Sequence, residues 1–355
     1  AINLSQGFPD FQAEPVLFDA MHRHMLAGRN QYAPMAGLPE LRQAIVDKVA
    51  ALYGTRFDVE SEVTVTAGAT QAIFTAIAAF VRPGDEVLVF EPVYDSYVPA
   101  IETVGGKAVF AQLKFPDYAP DWAQVKSLIN ERTRMIVVNS PHNPTGSLLT
   151  AADLDQLADL VRGTDIVILS DEVYEHILFD GERHASLCGR RELAARSIVV
   201  SSFGKTYHIT GWKIGYVVGP AALMAEFRKV HQFNVFTVHA PSQLAIAEYM
   251  QDAARHLRLA AFYQEKRDFF RQLMAATPFD LLPCRGTYFQ LARYDRISDL
   301  PDRAFAEWMT REVGVAVIPV SVFNADSRDD KVVRFCFAKR EETLQAAAER
   351  LCKAL

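Results

Sequence analysis

Cysteine is scarce in this sequence: four residues of 355, at positions 188, 284, 336 and 352, with no CxxC spacing. Scattered thiols in a chain of this length read as reduced cysteines of a cytoplasmic protein, not as a disulfide framework. Long apolar runs are missing as well. The longest, AIFTAIAAFV from Ala72 to Val81, falls well short of the roughly 18 residues that a spanning helix needs, so no membrane role is expected. No basic run occurs, and the net charge of −6 is spread along the chain. That distribution points away from nucleic acid and anionic membrane surfaces. Internal repeats, low-complexity stretches and long linkers are absent too. The sequence begins at Ala1, already inside NLSQGF, which leaves a targeting segment upstream an open question.

Several catalytic motifs are also missing. Gly204-Lys205-Thr206 resembles the end of a nucleotide-binding P-loop, but Val199 stands where that motif needs its first glycine. There is no GxGxxG, no HExxH and no GxSxG. Glu172, Glu175 and His176 share one short stretch, without metal-ligand spacing from a second element.

What is present is a core and an alternation. Half of the residues are apolar, and the length favours two domains or one large domain with an appendage. EVTVT (62–66), EVLVFEP (86–92), RMIVVNSP (134–141), DIVILSDEVY (165–174), SIVVSS (197–202) and KIGYVVGP (213–220) read as strands. Helices are expected from GATQ to Phe80 and over Ala151–Arg162. This alternation predicts an α/β chain with a mostly parallel sheet and helices on both faces. After about Ala240, long helical stretches over Pro241–Met274, short strands in TYFQL, VAVIP and VVRFCF, and a last helix over Glu341–Ala354 predict a smaller α+β domain, completed by the N-terminal segment.

In such sheets ligands bind beyond the carboxyl ends of the strands. Gly68, Asn143, Asp171 and Ser202 all follow strand runs, so one rim can hold them together. Lys205 follows the strand SIVVSS. A buried lysine stays neutral more easily and can form Schiff bases, and pyridoxal phosphate is the cofactor that uses such a lysine. Its phosphate calls for helix N-terminal amides, which GATQ supplies, and for hydroxyls and cations such as Ser202 and Lys213. Its pyridinium nitrogen calls for a carboxylate, and Asp171 fits. Asn143 and Tyr174 are candidate donors to the ring oxygen, and Tyr94 a candidate aromatic lid. Each residue alone has a plainer reading. Lys205 and Lys213 read as solvated lysines, Asp171 as a helix cap, Asn143 as a turn residue, and Tyr94 as core. Arg334 reads as an outward-facing strand residue. The set matters because one cofactor requires all of its rim members.

NLSQGFPDF, NQYAPMAG, VTAGATQAIF, EPVYDSY, NSPHNPTG, SDEVYEH, SSFGKTYHITGWKIGY, GTYFQL and VVRFCFAK occur in that order. This ordered set spans essentially the whole chain and resembles the class I/II pyridoxal-phosphate aminotransferases of fold type I. The branch it resembles contains the kynurenine, glutamine and bacterial methionine aminotransferases. The resemblance implies a large cofactor domain over 31–245 with a seven-stranded, mostly parallel sheet, and a small domain from 1–30 and 246–355. It implies that Lys205 carries the cofactor as a Schiff base. Asp171 would pair with the ring nitrogen, Tyr174 and Asn143 with the ring oxygen, and Tyr94 would stack on the ring. Ala69, Thr70, Ser202 and Lys213 would cradle the phosphate. Lys213 stands where the wider family usually has arginine, and Thr70 and Gln71 vary within the branch. Tyr32 would reach the phosphate of a neighbouring subunit, making the active unit a homodimer. Arg334 would bind the substrate α-carboxylate, assisted by Asn143 and the backbone of Gly7.

The expected reaction is transfer of an α-amino group to a 2-oxo acid in a ping-pong cycle. Tyr32, Tyr94, His208 and His239 offer aromatic surface, and no arginine is evident for a second carboxylate. This favours methionine, phenylalanine, glutamine or kynurenine over aspartate. Two alternatives stand beside it. A cysteine-conjugate β-lyase would release pyruvate and ammonia without an oxo-acid acceptor. An effector-binding half of a transcription regulator would carry a basic DNA-binding domain, which these residues do not show.

Overall fold

The computed structural model describes residues 1–355. Its centre is a seven-stranded sheet. Across it the strands run Val63–Thr66, Gly215–Val218, Ser197–Ser202, Val167–Asp171, Thr133–Asn139, Glu86–Glu91 and Lys107–Gln112. Gly215–Val218 is antiparallel to both of its neighbours, and the remaining pairings are parallel. This is the expected mostly parallel sheet of an α/β chain.

Strand residues alternate between the two faces. Val87, Val89, Met135, Val137, Val167, Leu169, Ile198 and Val200 form one apolar layer with helix Gly68–Phe80 and helix Ala221–Asn234. Leu88, Phe90, Ile136, Val138, Ile168 and Val199 form the other, with helices Pro39–Tyr53 and Ala151–Val161. Strands covered on both sides are rich in apolar residues, which is why six of the seven stand out in the sequence. Each such aliphatic side chain, fully buried, contributes roughly 1.5–3 kcal/mol.

Lys107–Gln112 was not among the expected strands. It lies at the sheet edge, pairs on one side only and is largely half-buried, so its apolar signal is weak. The helical stretch expected over Pro241–Met274 is broken into Ala240–Tyr249, Ala254–Leu257 and Leu259–Met274. The break falls at the polar Gln251 and Asp252.

A second, antiparallel sheet orders Ile318–Pro319, Val332–Cys336, Phe289–Arg293 and Asp280–Leu281. Helices Leu259–Met274 and Glu341–Ala354 close over it, with Tyr263, Phe270, Phe335, Phe337, Leu344 and Leu351 in its core. The N-terminal segment joins this body: Ile2–Asn3 pairs in parallel with Val315–Ala316, and Leu4 O accepts from Cys336 N. Helix Pro15–Leu26 behaves differently, since Leu17 and Ala20 pack into the core of the larger body.

Candidate active site

The carboxyl ends of the strands form one rim. Thr66 is registered with Gly215, Gly215 with Ser202, and Asn139 with Asp171. Beyond this rim, between the two bodies, lies a cavity of about 490 Å³. Gly7, Ala69, Thr70, Tyr94, Asn143, Asp171, Tyr174, Ser202, Lys205, Lys213 and Arg334 all line it. Tyr32 does not; it is 83 % exposed and packs edge-on against Phe236, with ring centres 5.4 Å apart.

Lys205 sits on the one-turn helix Phe203–Thr206 that follows strand Ser197–Ser202. Its Nζ donates to Gly7 O at 2.9 Å and to the Tyr288 hydroxyl at 2.7 Å. Burial pushes its amine down to about 8, so more of it is neutral near neutral pH than of an exposed lysine. Asp171 ends strand Val167–Asp171. Its Oδ2 accepts from the Tyr97 hydroxyl at 2.6 Å, and its Oδ1 accepts only a longer bond, 3.3 Å, from Val173 N. Burial pushes this carboxyl up to about 6, against the Tyr97 hydrogen bond. Oδ1 therefore keeps lone pairs for another donor. Tyr174 is buried, which raises its hydroxyl well above the ordinary tyrosine range.

Asn143 is held from behind. Asn139 Nδ2 donates to Asp171 O at 2.8 Å, while its Oδ1 accepts from Asn143 N at 2.8 Å. Asn143 Oδ1 in turn accepts from Arg334 Nη1 at 2.7 Å. Arg334 does not face outward: it is 7 % exposed. Its guanidinium lies 3.9 Å from the centre of the Phe289 ring and donates to Ser5 O at 3.2 Å. Its Nε is buried without a partner. A desolvated guanidinium whose acceptors are all neutral is a receptor for a carboxylate.

One end of the cavity is made by the start of helix Gly68–Phe80, through Ala69 and Thr70. The first amides of a helix lack intrahelical acceptors, and no side chain caps this end. Gly68 has φ +77°, and a Cβ there would lie 3.1 Å from Lys213 Nζ. The ammonium therefore approaches the helix start through space that only glycine leaves open. Lys213 itself has φ +54°, a left-handed backbone that aims its side chain back toward the rim.

Four lining or supporting residues were not singled out in the sequence: Tyr97, Asn139, Tyr288 and Asp95. Ile318, Val322, Phe323 and Phe289 add an apolar wall from the small body. His208 and His239 do not line the cavity. His208 packs in an aromatic cluster, with its ring 4.9 Å from Phe11, and His239 Nδ1 lies 2.7 Å from Ser242 Oγ.

These residues fit pyridoxal phosphate. A lysine amine, a carboxylate with a spare oxygen, an open helix start beside an ammonium and a desolvated guanidinium with an unpartnered Nε share one cavity. A model of the family described as aminotransferase class I and II matches residues 1–351. The chain is 49 % identical to the methionine aminotransferase of Escherichia coli, over 99 % of this chain and 91 % of the relative. It is 34 % identical to kynurenine–oxoglutarate transaminase 1 of Rattus norvegicus, over 99 % and 92 %. A crystal structure of the Escherichia coli protein YbdL, described with a methionine aminotransferase function, superimposes with a TM-score of 0.98 at 48 % identity, covering 99 % of this chain and 94 % of that one. This chain thus belongs to the class I and II aminotransferases, enzymes that depend on pyridoxal phosphate.

Proposed function

We propose that the enzyme moves the α-amino group of a large uncharged L-amino acid, of the methionine, aromatic, glutamine or kynurenine type, to a 2-oxo acid. One observation carries this reading: Arg334 is the one arginine lining the cavity, and the walls near it are apolar. A second carboxylate on the donor would have no second guanidinium to pair with, and Asp95 on the same lining would repel it. The activities named for the bacterial and rat relatives support the same donor class.

Pyridoxal phosphate, when bound, supplies an aldehyde that condenses with amines and a ring that takes up the electron pair left when the Cα–H bond breaks. The protein's own residues set everything else. Ala69, Thr70, Ser202 and Lys213 would hold the phosphate, Tyr94 would cover the ring face, and Asn143 and Tyr174 would donate to the ring oxygen. Asp171 would keep the ring nitrogen protonated through its spare Oδ1. Arg334 pairs with the donor carboxylate, and Asn143 and Gly7 orient it. This aims the substrate Cα at Lys205 Nζ, which accepts the Cα proton and passes it on. The 2-oxo acid then uses the same groups in reverse.

The proposal includes a cytoplasmic homodimer. The exposed ring of Tyr32 is free to reach a second copy's phosphate site. It also includes the division into a larger body of 31–245 and a smaller one of 1–30 with 246–355, with helix Pro15–Leu26 riding on the larger. A steady-state panel of amino donors tests the substrate reading. Methionine, phenylalanine, glutamine or kynurenine should exceed aspartate in kcat/KM by at least about tenfold. A preference for aspartate of that size would refute it.

A further inference from the structure

Tyr288 precedes strand Phe289–Arg293 and is fully buried. Its ring packs among Tyr174, Phe289 and Tyr263, with centres 5.1, 4.9 and 5.7 Å away. Its hydroxyl donates to Gly7 O at 2.6 Å and lies 2.7 Å from Lys205 Nζ. A hydroxyl has one proton. With that proton committed to Gly7 O, the oxygen can only accept from the lysine. Gly7 O accepts from the same amine at 2.9 Å. The ε-amine of a large-body lysine is thus gripped by two neutral acceptors, both belonging to the smaller body.

The charged and titratable groups that face this amine come from several elements. Asp171 attracts its proton, Arg334 and Lys213 repel it, and Cys336 lies near. The rings of Tyr174 and Tyr288 have their centres 5.6 and 5.4 Å from Nζ. Burial outweighs the attractive contributions. Among these neighbours, only the Tyr288 hydroxyl and Gly7 O accept a hydrogen bond from the amine.

We propose that Tyr288 is a positioning residue for Lys205: its hydroxyl holds the ε-amine at the small-body wall whenever that amine is not bonded to cofactor. The proposal rests on reading Lys205 as the cofactor lysine. It gives the released amine a defined place within reach of the substrate Cα and favours the protonated form after the Cα proton arrives. It also ties the two bodies together through one side chain at the stage when the proton moves.

The test is Tyr288→Phe in the full chain, which keeps the ring and removes the oxygen. With cofactor removed, Lys205 is labelled with trace acetic anhydride across pH and read by peptide mass spectrometry. Losing an acceptor of the ammonium should move the titration about one unit lower, giving about fivefold faster labelling at pH 7. In the holoenzyme, kcat should fall about tenfold with KM for the donor unchanged. The deuterium isotope effect at Cα should grow. If the variant fails to fold, 3-fluorotyrosine at position 288 keeps the shape and weakens the acceptor, and it must shift the labelling profile in the same direction. A folded variant with a wild-type labelling profile would overturn the proposal. Labelling uses cofactor-free chain, so its outcome is separable from the donor panel. A shifted profile with a failed panel counts against the substrate reading, not against Tyr288.

Discussion

Two lysines are withdrawn from solvent on opposite faces of the same sheet, and their surroundings differ in kind. Lys48, from helix Pro39–Tyr53, is 2.5 Å from Glu175 Oε1 and 2.8 Å from the Tyr216 hydroxyl. Glu175 also accepts from the Tyr53 hydroxyl at 2.5 Å and Ser201 Oγ at 2.6 Å. Burial raises the proton affinity of Glu175, but the Lys48 ammonium and these hydrogen bonds outweigh it and hold the carboxyl well below the usual range. Every charge there has its opposite. Lys205, on the cavity face, has only neutral hydrogen-bond partners, as does Arg334. Neighbouring residues of one strand divide the roles: Ser201 faces the paired network and Ser202 faces the cavity. A buried ion pair closed on itself is a structural joint, whereas withdrawn cations hydrogen-bonded only to neutral acceptors are a receptor for anions that arrive from outside.

The comparison breaks most sharply at Lys205. Lys205→Ala should reduce transaminase turnover to the detection limit while costing the cofactor-free chain no more than about 1 kcal/mol, because two neutral hydrogen bonds are lost but a desolvated amine is removed. Activity assays and denaturant melts on the same preparation check both halves. Lys48→Met should show the reverse. Leaving Glu175 buried and unpaired should cost about 3–5 kcal/mol in urea unfolding. The folded fraction should keep the donor preference of the parent. Arg334→Lys keeps the charge but loses the fork, and kcat/KM for any amino donor should fall ~100-fold, mostly through KM. The smallest effect concerns Tyr32. Mixing Lys205→Ala and Tyr32→Ala chains, each impaired alone, should restore up to about a quarter of the parent activity, since about half of all dimers would be mixed and each of those would carry one intact site of two. No gain over the separate variants would mean that Tyr32 serves its own subunit or none.

The legible part of this molecule follows from that contrast. Strand ends announce themselves because the strands are apolar on both faces, so Asp171, Ser202 and the helix start at Gly68 could be placed on one rim from the sequence. Arg334 was named as the carboxylate receptor only through the resemblance. Its alternation with Val333 and Phe335 otherwise reads as outward-facing, and the small body packed against the strand is what buries it. Tyr97, Asn139 and Tyr288 escaped because a buried tyrosine or asparagine has the same pattern whether it fills space or bridges. The partners of the two tyrosines lie far off in sequence: 74 residues separate Tyr97 from Asp171, and 83 separate Lys205 from Tyr288. His208 and His239 attracted notice by residue type, but one fills an aromatic cluster and the other sits at a helix start.

The central claim is that the amine at position 205 is the one the cofactor aldehyde bonds to. Borohydride reduction of the purified chain with added pyridoxal phosphate, followed by peptide mapping, tests it directly. The account predicts one stoichiometric phosphopyridoxyl adduct on Lys205, with Lys48 and Lys213 unmodified. An adduct confined to another lysine, with Lys205 recovered intact, would contradict it.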